Sequence, residues 1–540
     1  MARDSAAADV LRQLASGLEG EVSAEAPERE TYSAAACLYE VRPSAVAWPR
    51  SESGVAALVA AARRAALPVT ARGAGSGVAG HSVGEGIVAD LSRHMTGILD
   101  VDAAGRRARV QPGVRLGALN VRLAPLGLKF APDPSSERFC TIGGMIANNA
   151  GGAHSIRHGS TREHVLSVRG VTGAGTLFDT AAGAGTGEAA EAQRLAVGVR
   201  TACEGHEKAI AKHRMRTSRN SSGYDLYGAL GGESRGGAPA ADLNRLLVGS
   251  EGSLAIVTEA TLALTQIPGA TGTALAGFED RHGAVEAILK ATALGVSCAE
   301  LVCEPLVTLM RAESALLRGA VPEPLHAFVL FECEGENEAA AAAGLERLRA
   351  AIGSPPGPAR HIALVTDPAG RKALWGMRHE ASPVLTRHGG ARLNLRFIED
   401  ACVPPERLAG FLGELERLFA FEHIEAAVFG HAADSLVHVN PLVEPGADLT
   451  SLMERVAAAF TEIVAGAGGT LTGEHGDGRL RTPRLARMFG PVAPLFANVK
   501  RVFDPDGILN PGIKVPLSPA ARMTDHMRFA PTPWRPPDEP

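Results

Sequence analysis

Three glycine-rich stretches constrain the fold of this chain more than any other feature: RGAGSGVAG (72–80), TIGGMIANNAGGAHSIRHGST (141–161) and GSEGSLAIV (249–257). Glycine lets a backbone bend tightly and brings bare amides close together, a geometry suited to phosphate oxygens, although each stretch alone reads equally well as a set of turns. Before the first stretch, Val55, Leu58, Val59 and Ala62 carry helical spacing, and PVTA reads as a buried strand entering the glycines. The strand-like GIVADL follows, whereas a doubly wound dinucleotide fold would run from its glycine loop straight into a helix. The three loops, separated by helices and strands, are expected to converge from one domain on one extended, phosphate-bearing ligand.

Beyond about residue 268 the texture changes. Helical stretches such as GAVEAILKATALGV and EAAAAAGLERLRAAI alternate with strand-like runs such as AFVLFECEG, the pattern of an α+β domain on an antiparallel sheet. From 450 onward LMERVAAAFTEIVAGAGG is strongly helical and ends in glycines, while the proline-rich end reads as an extended tail. The expected divisions are 1–39, an N-terminal helical segment; 40–267, a ligand-binding domain; 268–450, a substrate or cap domain; 451–515, a segment returning to the first domain; and 516–540, the tail.

The formal net charge of −5 argues against a nucleic-acid partner. No window of bilayer-spanning length is free of charges or helix breakers, and the start lacks a signal peptide's apolar core, so a cytoplasmic location is expected. Seven cysteines are scattered without a CxxC pair, which argues against an iron–sulfur cluster in this chain.

Chemistry concentrates in two short segments. In FGHAADSLVHVNP, His431 and His438 are close enough in sequence to serve one metal, or to be two unrelated histidines. In TGEHGDGRL, Glu474 and His475 stand side by side among three glycines; a charged residue beside a histidine in a turn is ordinarily solvated surface. Two imidazoles and one carboxylate suit zinc, with manganese or ferrous iron as alternatives, and leave positions open for substrate. His475 would then lie beside the metal without ligating it, where a general base belongs. Arg378, in LWGMRHEAS, draws no notice on physical grounds alone.

With these residues in view, the chain resembles the FAD-linked oxidases of the vanillyl-alcohol oxidase and p-cresol methylhydroxylase fold. The branch is that of D-lactate dehydrogenases, the flavin subunit of glycolate oxidase and D-2-hydroxyglutarate dehydrogenase. The motifs carrying the likeness are RGAGSGVAG, PDPSSERFCTIGGMIANNAGG, HGST, NSSGYDL, VGSEGSLAIVTEATL, GHAADSLVHVNP, TGEHGDGRLR and FDPDGILNPGIK. The resemblance implies an α+β protein with a two-part FAD-binding domain of the p-cresol methylhydroxylase type and a cap whose antiparallel sheet is covered by helices.

It also implies site residues. The FAD pyrophosphate would lie on Arg72, Gly73, Ala74, Gly75, Ser76 and Gly77 and on the loop around Gly143, Gly144 and Asn148, with Pro132 and Thr141 nearby. The isoalloxazine end would approach Asn149, Gly151 and His158; Glu251, Gly252 and Ile256 would hold the adenine half; Asn510 completes the expected cofactor set. The metal ligands fall on His431, His438 and Glu474, the base on His475, a carboxylate-binding arginine on Arg378 and a substrate neighbour on Asn440. Departures occur at Ala74, Ser76 and His81, and at DSLV between the metal histidines.

The activity implied is oxidation of a D-2-hydroxy acid, of lactate, glycolate or 2-hydroxyglutarate type, to the 2-oxo acid. A metal beside the hydroxyl lowers its pKa, His475 takes the proton, Arg378 grips the carboxylate, and the flavin accepts the hydride. The texture is most like the flavin half of FAD/iron–sulfur fusion enzymes, so electrons are expected to leave through an iron–sulfur subunit, a quinone, a cytochrome or an electron-transfer protein. Peripheral association at the inner face of a membrane and a homodimer accompany that expectation. The alternatives are a non-catalytic flavin relay subunit of a larger oxidase complex, for which the His431, His438, Glu474, His475 and Arg378 set is superfluous, and a metallohydrolase, which leaves the glycine clusters without a role.

Overall fold

A computed structural model describes residues 18–181, 186–231, 240–388, 392–444 and 448–528. The first lobe holds two sheets. Ala45–Pro49, helix Glu52–Arg64 and Val69–Arg72 form a strand–helix–strand unit, and Ile87–Asp90 inserts between the two strands, parallel to both. The helix is capped by Ser51, whose hydroxyl accepts from the Gly54 amide, and it buries Val55, Leu58, Val59 and Ala62 against this sheet. The glycine loop 72–80 leaves the end of the strand Val69–Arg72, as the helix, strand, loop, strand order requires.

The strand Gly20–Ser23 adds antiparallel to Ala45–Pro49. Of the segment expected to be helical before residue 40, the described part holds this short strand, in which GEVS satisfies the free edge of the sheet, and the helix Ala26–Tyr32; residues 1–17 lie outside the described residues.

A second, antiparallel sheet runs Ile98–Asp102, Arg107–Val110, Ala255–Ala263, Val165–Thr172, Leu177–Asp179. Helices Gly187–Cys203 and Ala493–Phe503 share its core, so the C-terminal segment comes back to the first lobe; Leu509 bridges to Val69. The last described residues lie against the body, with Met523 buried and its carbonyl accepting from the Tyr39 hydroxyl.

The second lobe is built on an eight-stranded antiparallel sheet. Ala270–Phe278, Cys298–Cys303, Ala327–Gly335 and His361–Val365 make one part, and Glu425–His431 continues it into Leu436–Val443. Strand alternation sends Ala274, Ala276, Val329 and Phe331 to a core under helices Arg281–Ala293, Glu338–Ile352 and Leu408–Glu422. Leu275, Phe328 and Leu330 point the other way, under helices Leu306–Glu313 and Pro368–His379. With both faces covered, AFVLFECEG has to be apolar throughout most of its length, which is why it reads as a continuous run rather than an alternation.

Candidate active site

A cavity of about 930 Å³ runs from the glycine loop of the first lobe to the end of the cap sheet. At one end it is lined by Arg72, Gly73, Ala74, Gly75, Ser76 and Gly77, with Thr141, Gly143, Gly144, Asn148, Gly151, Glu251 and Gly252 along its wall. At the other end stand Arg378, His431, His438, Asn440, Glu474 and His475. Residues 400 positions apart in sequence thus meet across one space, and the three glycine stretches do converge on it.

Five of the expected cofactor residues are not among those lining the cavity. Pro132 is buried next to the lining residue Asp133. Asn149, at φ +56°, turns its amide inward, where it accepts from the Ser160 hydroxyl and the Arg162 amide. His158 lies 3.0 Å from Glu334 of the cap. Ile256 joins the core behind the sheet while its neighbours Ala255 and Val257 face the cavity. Asn510 donates to the carbonyls of His81 and Glu251, clamping two cavity loops together.

The loop carrying Glu474 and His475 is shaped by its glycines and by a buried ion cluster. Gly476 and Gly478 have φ of +83° and +50°, and a side chain at Gly478 would strike the Ala79 carbonyl. Asp477 accepts from the Ser222 hydroxyl, the Gly223 amide and Lys514 Nζ, while Glu251 accepts from the amides of Asp477 and Gly478. Lys514 also lies 2.8 Å from Glu251, so the NSSGYDL, GSEGS and PGIK motifs form the frame that holds GEHGDG.

Within that frame Glu474 Oε1 is the meeting point of three imidazoles: His431 Nε2 at 3.1 Å, His438 Nε2 at 3.5 Å and His475 Nε2 at 3.7 Å. Its other oxygen, Oε2, is held by Arg219 Nη1 at 2.8 Å. Arg219 also lies 2.9 Å from Asp434 and donates to the Gly152 carbonyl of the first lobe. Glu300, alone among apolar residues on the strand Cys298–Cys303, contacts His431 Nδ1 at 2.5 Å and Arg378 Nη2 at 2.6 Å. The Arg378 guanidinium lies over the Phe429 ring, 5.1 Å from its centroid.

Burial and charge pull these groups in opposite directions. Burial raises Glu474, but His431 and Arg219 outweigh it and hold its carboxyl well below the ordinary range. Glu300 is likewise held low against its burial by His431 and Arg378. Burial disfavours charge on His431 and His475, yet Glu300 and Glu474 lift the first to about 10, and Glu399, Asp400 and Glu474 lift the second to about 9. His438 is lowered, chiefly by burial, and Asp400 is raised by burial and by its acidic neighbours. The buried carboxylates thus favour positive charge on His431 and His475.

The donor set fits a divalent cation, which would supply positive charge there. Asp400, His438, Glu474 and His475 each offer a donor atom within 4.8 Å of the others, and imidazoles with carboxylates suit zinc, manganese or ferrous iron. This tight group shares His438 and Glu474 with the expected ligands but brings in His475 and Asp400 and omits His431. Asp400 Oδ1 and Asn440 Nδ2 are buried without hydrogen-bond partners, which leaves polar capacity for a bound group.

Sequence reasoning missed several side chains of this site. Glu399 and Asp400 follow the apolar run of RFIEDACV, and Glu300 interrupts CAELVC; a lone charge in a buried strand was the available signal. His154, which lines the cavity, joins Asp133 of the first lobe at 2.5 Å to Glu332 of the cap at 2.7 Å, and Trp375 Nε1 donates to the same Glu332. His154 and His158, four apart, meet Glu332 and Glu334, two apart on one strand, as a helical turn matches one face of a sheet.

Two lobes thus meet at one long cavity, with glycine loops lining it and a histidine–carboxylate centre at its far end. A family described as "FAD binding domain" matches residues 43–181, and one described as "FAD linked oxidases, C-terminal domain" matches 267–513. The chain belongs to the FAD-linked oxidases. It is 31% identical to D-2-hydroxyglutarate dehydrogenase of Escherichia coli K12, covering 92% of this chain and 50% of that one. It is 30% identical to the glycolate oxidase subunit GlcD of the same strain, over 88% of this chain and 85% of that one. To D-lactate dehydrogenase of Archaeoglobus fulgidus it is 29% identical, over 86% and 89%. This chain spans about half the length of the D-2-hydroxyglutarate dehydrogenases it matches. The fold is shared with 4-ethylphenol oxidase from Gulosibacter chungangensis, at TM-score 0.65 and 16% identity over 95% of this chain and 97% of that one. The expected α+β architecture, a p-cresol methylhydroxylase-type FAD domain with a cap, is therefore the one observed. Among the described residues no helix is long and apolar enough to cross a membrane.

Proposed function

We propose that the chain is an FAD-dependent, metal-assisted dehydrogenase that oxidises a D-2-hydroxy acid to its 2-oxo acid. The observation carrying this reading is the convergence of His431, His438 and His475 on one oxygen of Glu474, with Arg378 and Asn440 on the same cavity. Relatives named for D-2-hydroxyglutarate, glycolate and D-lactate support the substrate class.

FAD would lie along the Arg72–Gly77 loop, Thr141, Gly143, Gly144, Asn148, Gly151, Glu251 and Gly252, and supplies the hydride acceptor when bound. His431, His438 and Glu474 would hold the divalent cation, zinc first, which supplies Lewis acidity at the substrate hydroxyl. Arg378, fixed by Glu300, binds the substrate carboxylate through its guanidinium. Asn440 Nδ2, buried and without a partner, donates to a substrate oxygen. His475 Nε2 takes the hydroxyl proton, a role that requires its raised pKa to fall when a bound cation supplies the positive charge that the carboxylates favour. Arg378, His431, His438 and Asn440 of the cap line this end of the cavity.

Electrons would pass on to a separate acceptor, as an iron–sulfur subunit, a quinone, a cytochrome or an electron-transfer protein would provide, with the chain in the cytoplasm or peripheral at the inner membrane face. GlcD, named as a subunit, supports an acceptor outside the chain. Anaerobic mixing of the purified flavoprotein with a panel of D- and L-2-hydroxy acids tests the reading. Bleaching of the flavin band by D acids, lost on chelation, is expected. A stable flavin band with every acid would leave the electron-relay reading, and a protein without flavin would leave the hydrolase.

A further inference from the structure

Each imidazole of the site presents Nε2 towards Glu474, so what stands at Nδ1 decides which nitrogen carries the proton. For His475 that partner is Glu399. Its Oε2 lies 2.6 Å from His475 Nδ1 and 3.4 Å from His438 Nδ1, and the two rings stack at 17° with centroids 5.1 Å apart. Its Oε1 is held at 2.7 Å by Arg481 Nη2, and Arg481 donates in turn to the carbonyls of Glu399 and Gly476. Asp400, the other acid nearby, is occupied elsewhere: its Oδ2 accepts from the Thr472 hydroxyl and from the amides of Glu474 and His475.

We propose that Glu399 is a positioning residue that fixes His475 as its Nδ1–H tautomer, leaving the Nε2 lone pair aimed into the cavity, with Arg481 locking the carboxylate in place. A carboxylate can only accept, so a neutral His475 must put its proton on Nδ1. Glu399 lines the cavity beside His475, but its oxygens are engaged by His475, His438 and Arg481, so it acts through the ring of His475. For a neutral His475 the tautomer stands on these contacts, while its neutrality in the metal-loaded protein and its consequence for proton transfer rest on the dehydrogenase reading above.

Glu399→Gln inverts the arrangement without changing its shape. Arg481 can only donate, so the amide oxygen settles on Arg481 and the amide NH₂ turns to His475 Nδ1, driving the ring proton to Nε2. Glu399→Asp keeps an acceptor, one methylene further away. The corresponding acid-to-amide change in a serine-protease triad costs about ten-thousandfold in rate by the same inversion.

The test uses FAD- and metal-loaded protein labelled with 15N-histidine, with the His475 signals identified by their loss in His475→Ala. Wild type and Glu399→Asp are expected to show Nδ1 protonated and Nε2 bare, and Glu399→Gln the reverse. A wild-type signal with Nε2 protonated, or an unchanged pattern in Glu399→Gln, overturns the proposal. In anaerobic stopped-flow, the Glu399→Gln flavin-reduction rate should fall by about a thousandfold, while the apparent affinity for the acid stays within about threefold and FAD and metal contents are unchanged. Glu399→Asp should recover all but about tenfold of it. Loss of FAD or metal in both variants would make Glu399 a scaffold of the pocket and overturn the positioning role. Correct tautomers in a wild-type protein that no hydroxy acid reduces would sink the dehydrogenase reading and leave the tautomer assignment standing.

Discussion

Arg219 Nη1 lies 2.8 Å from Glu474 Oε2, and both side chains are buried. One oxygen of Glu474 is thereby committed to a guanidinium, and only Oε1 faces the imidazoles. Arg219 is also the near partner of Asp434, so a single cation serves two buried carboxylates.

Arg219→Met should accordingly destabilise the fold by ~3–5 kcal/mol, because it strands two buried carboxylates rather than removing a neutral pair. Urea unfolding of the variant beside wild type measures this; equal midpoints would mean that Glu474 and Asp434 find other compensation.

Glu474→Gln is expected to keep FAD and to lower bound divalent metal about tenfold, on the scale seen when a ligand's support is lost. Elemental analysis decides the point, and full occupancy would remove Glu474 from the ligand set. His431→Ala measured in parallel separates the two ligand groups: unchanged metal there would favour Asp400, His438, Glu474 and His475.

His475→Ala should retain the flavin spectrum while slowing flavin reduction by ~10²–10⁴, the usual contribution of a positioned acid or base. Reduction at the wild-type rate would exclude His475 as the base.

Gly478→Ala should cost ~2 kcal/mol or more, since φ of +50° already disfavours any other residue and the added carbon meets the Ala79 carbonyl. Thermal unfolding should show a clear drop in Tm; an unchanged Tm would mean that the loop absorbs the added carbon.

A pH dependence follows from His154. Burial opposes its charge, but Asp133 and Glu332 outweigh burial and raise its pKa to about 10. A group raised above its unfolded value stabilises fully below that value and loses its contribution as the pH climbs through the folded one. The stability gap between wild type and His154→Gln should thus be widest below pH ~6.5 and should narrow steadily towards pH ~10. A gap independent of pH in denaturant titrations would show that His154 is neutral in the folded protein.

The parts of this molecule legible in the sequence were those whose signal is local. Glycine spacing announced the three loops, and the HAADSLVH and GEHGDG segments announced the centre, because turn chemistry and ligand chemistry both sit within a few residues. The side of each element that faces the cavity was not local information. Asn148 lines it while Asn149 turns away, and Ile256 points away from it between two residues that line it. Likewise Glu300, Glu399 and Arg219 carry no motif of their own; only strand pairing and lobe packing bring them behind His431, His475 and Glu474.

The frame around GEHGDG has a consequence for how this protein can be taken apart or recombined. Its loop is bolted by Glu251, Ser222 and Lys514 on one side, yet the groups that orient the side chains of His475 and Glu474, Glu399 and His431, belong to the other lobe. Neither half holds a finished centre. A chimera that exchanged one lobe for a relative's would inherit half of a charge pattern written for the partner it left behind, and a chain caught before its lobes dock has no competent centre to expose to solvent.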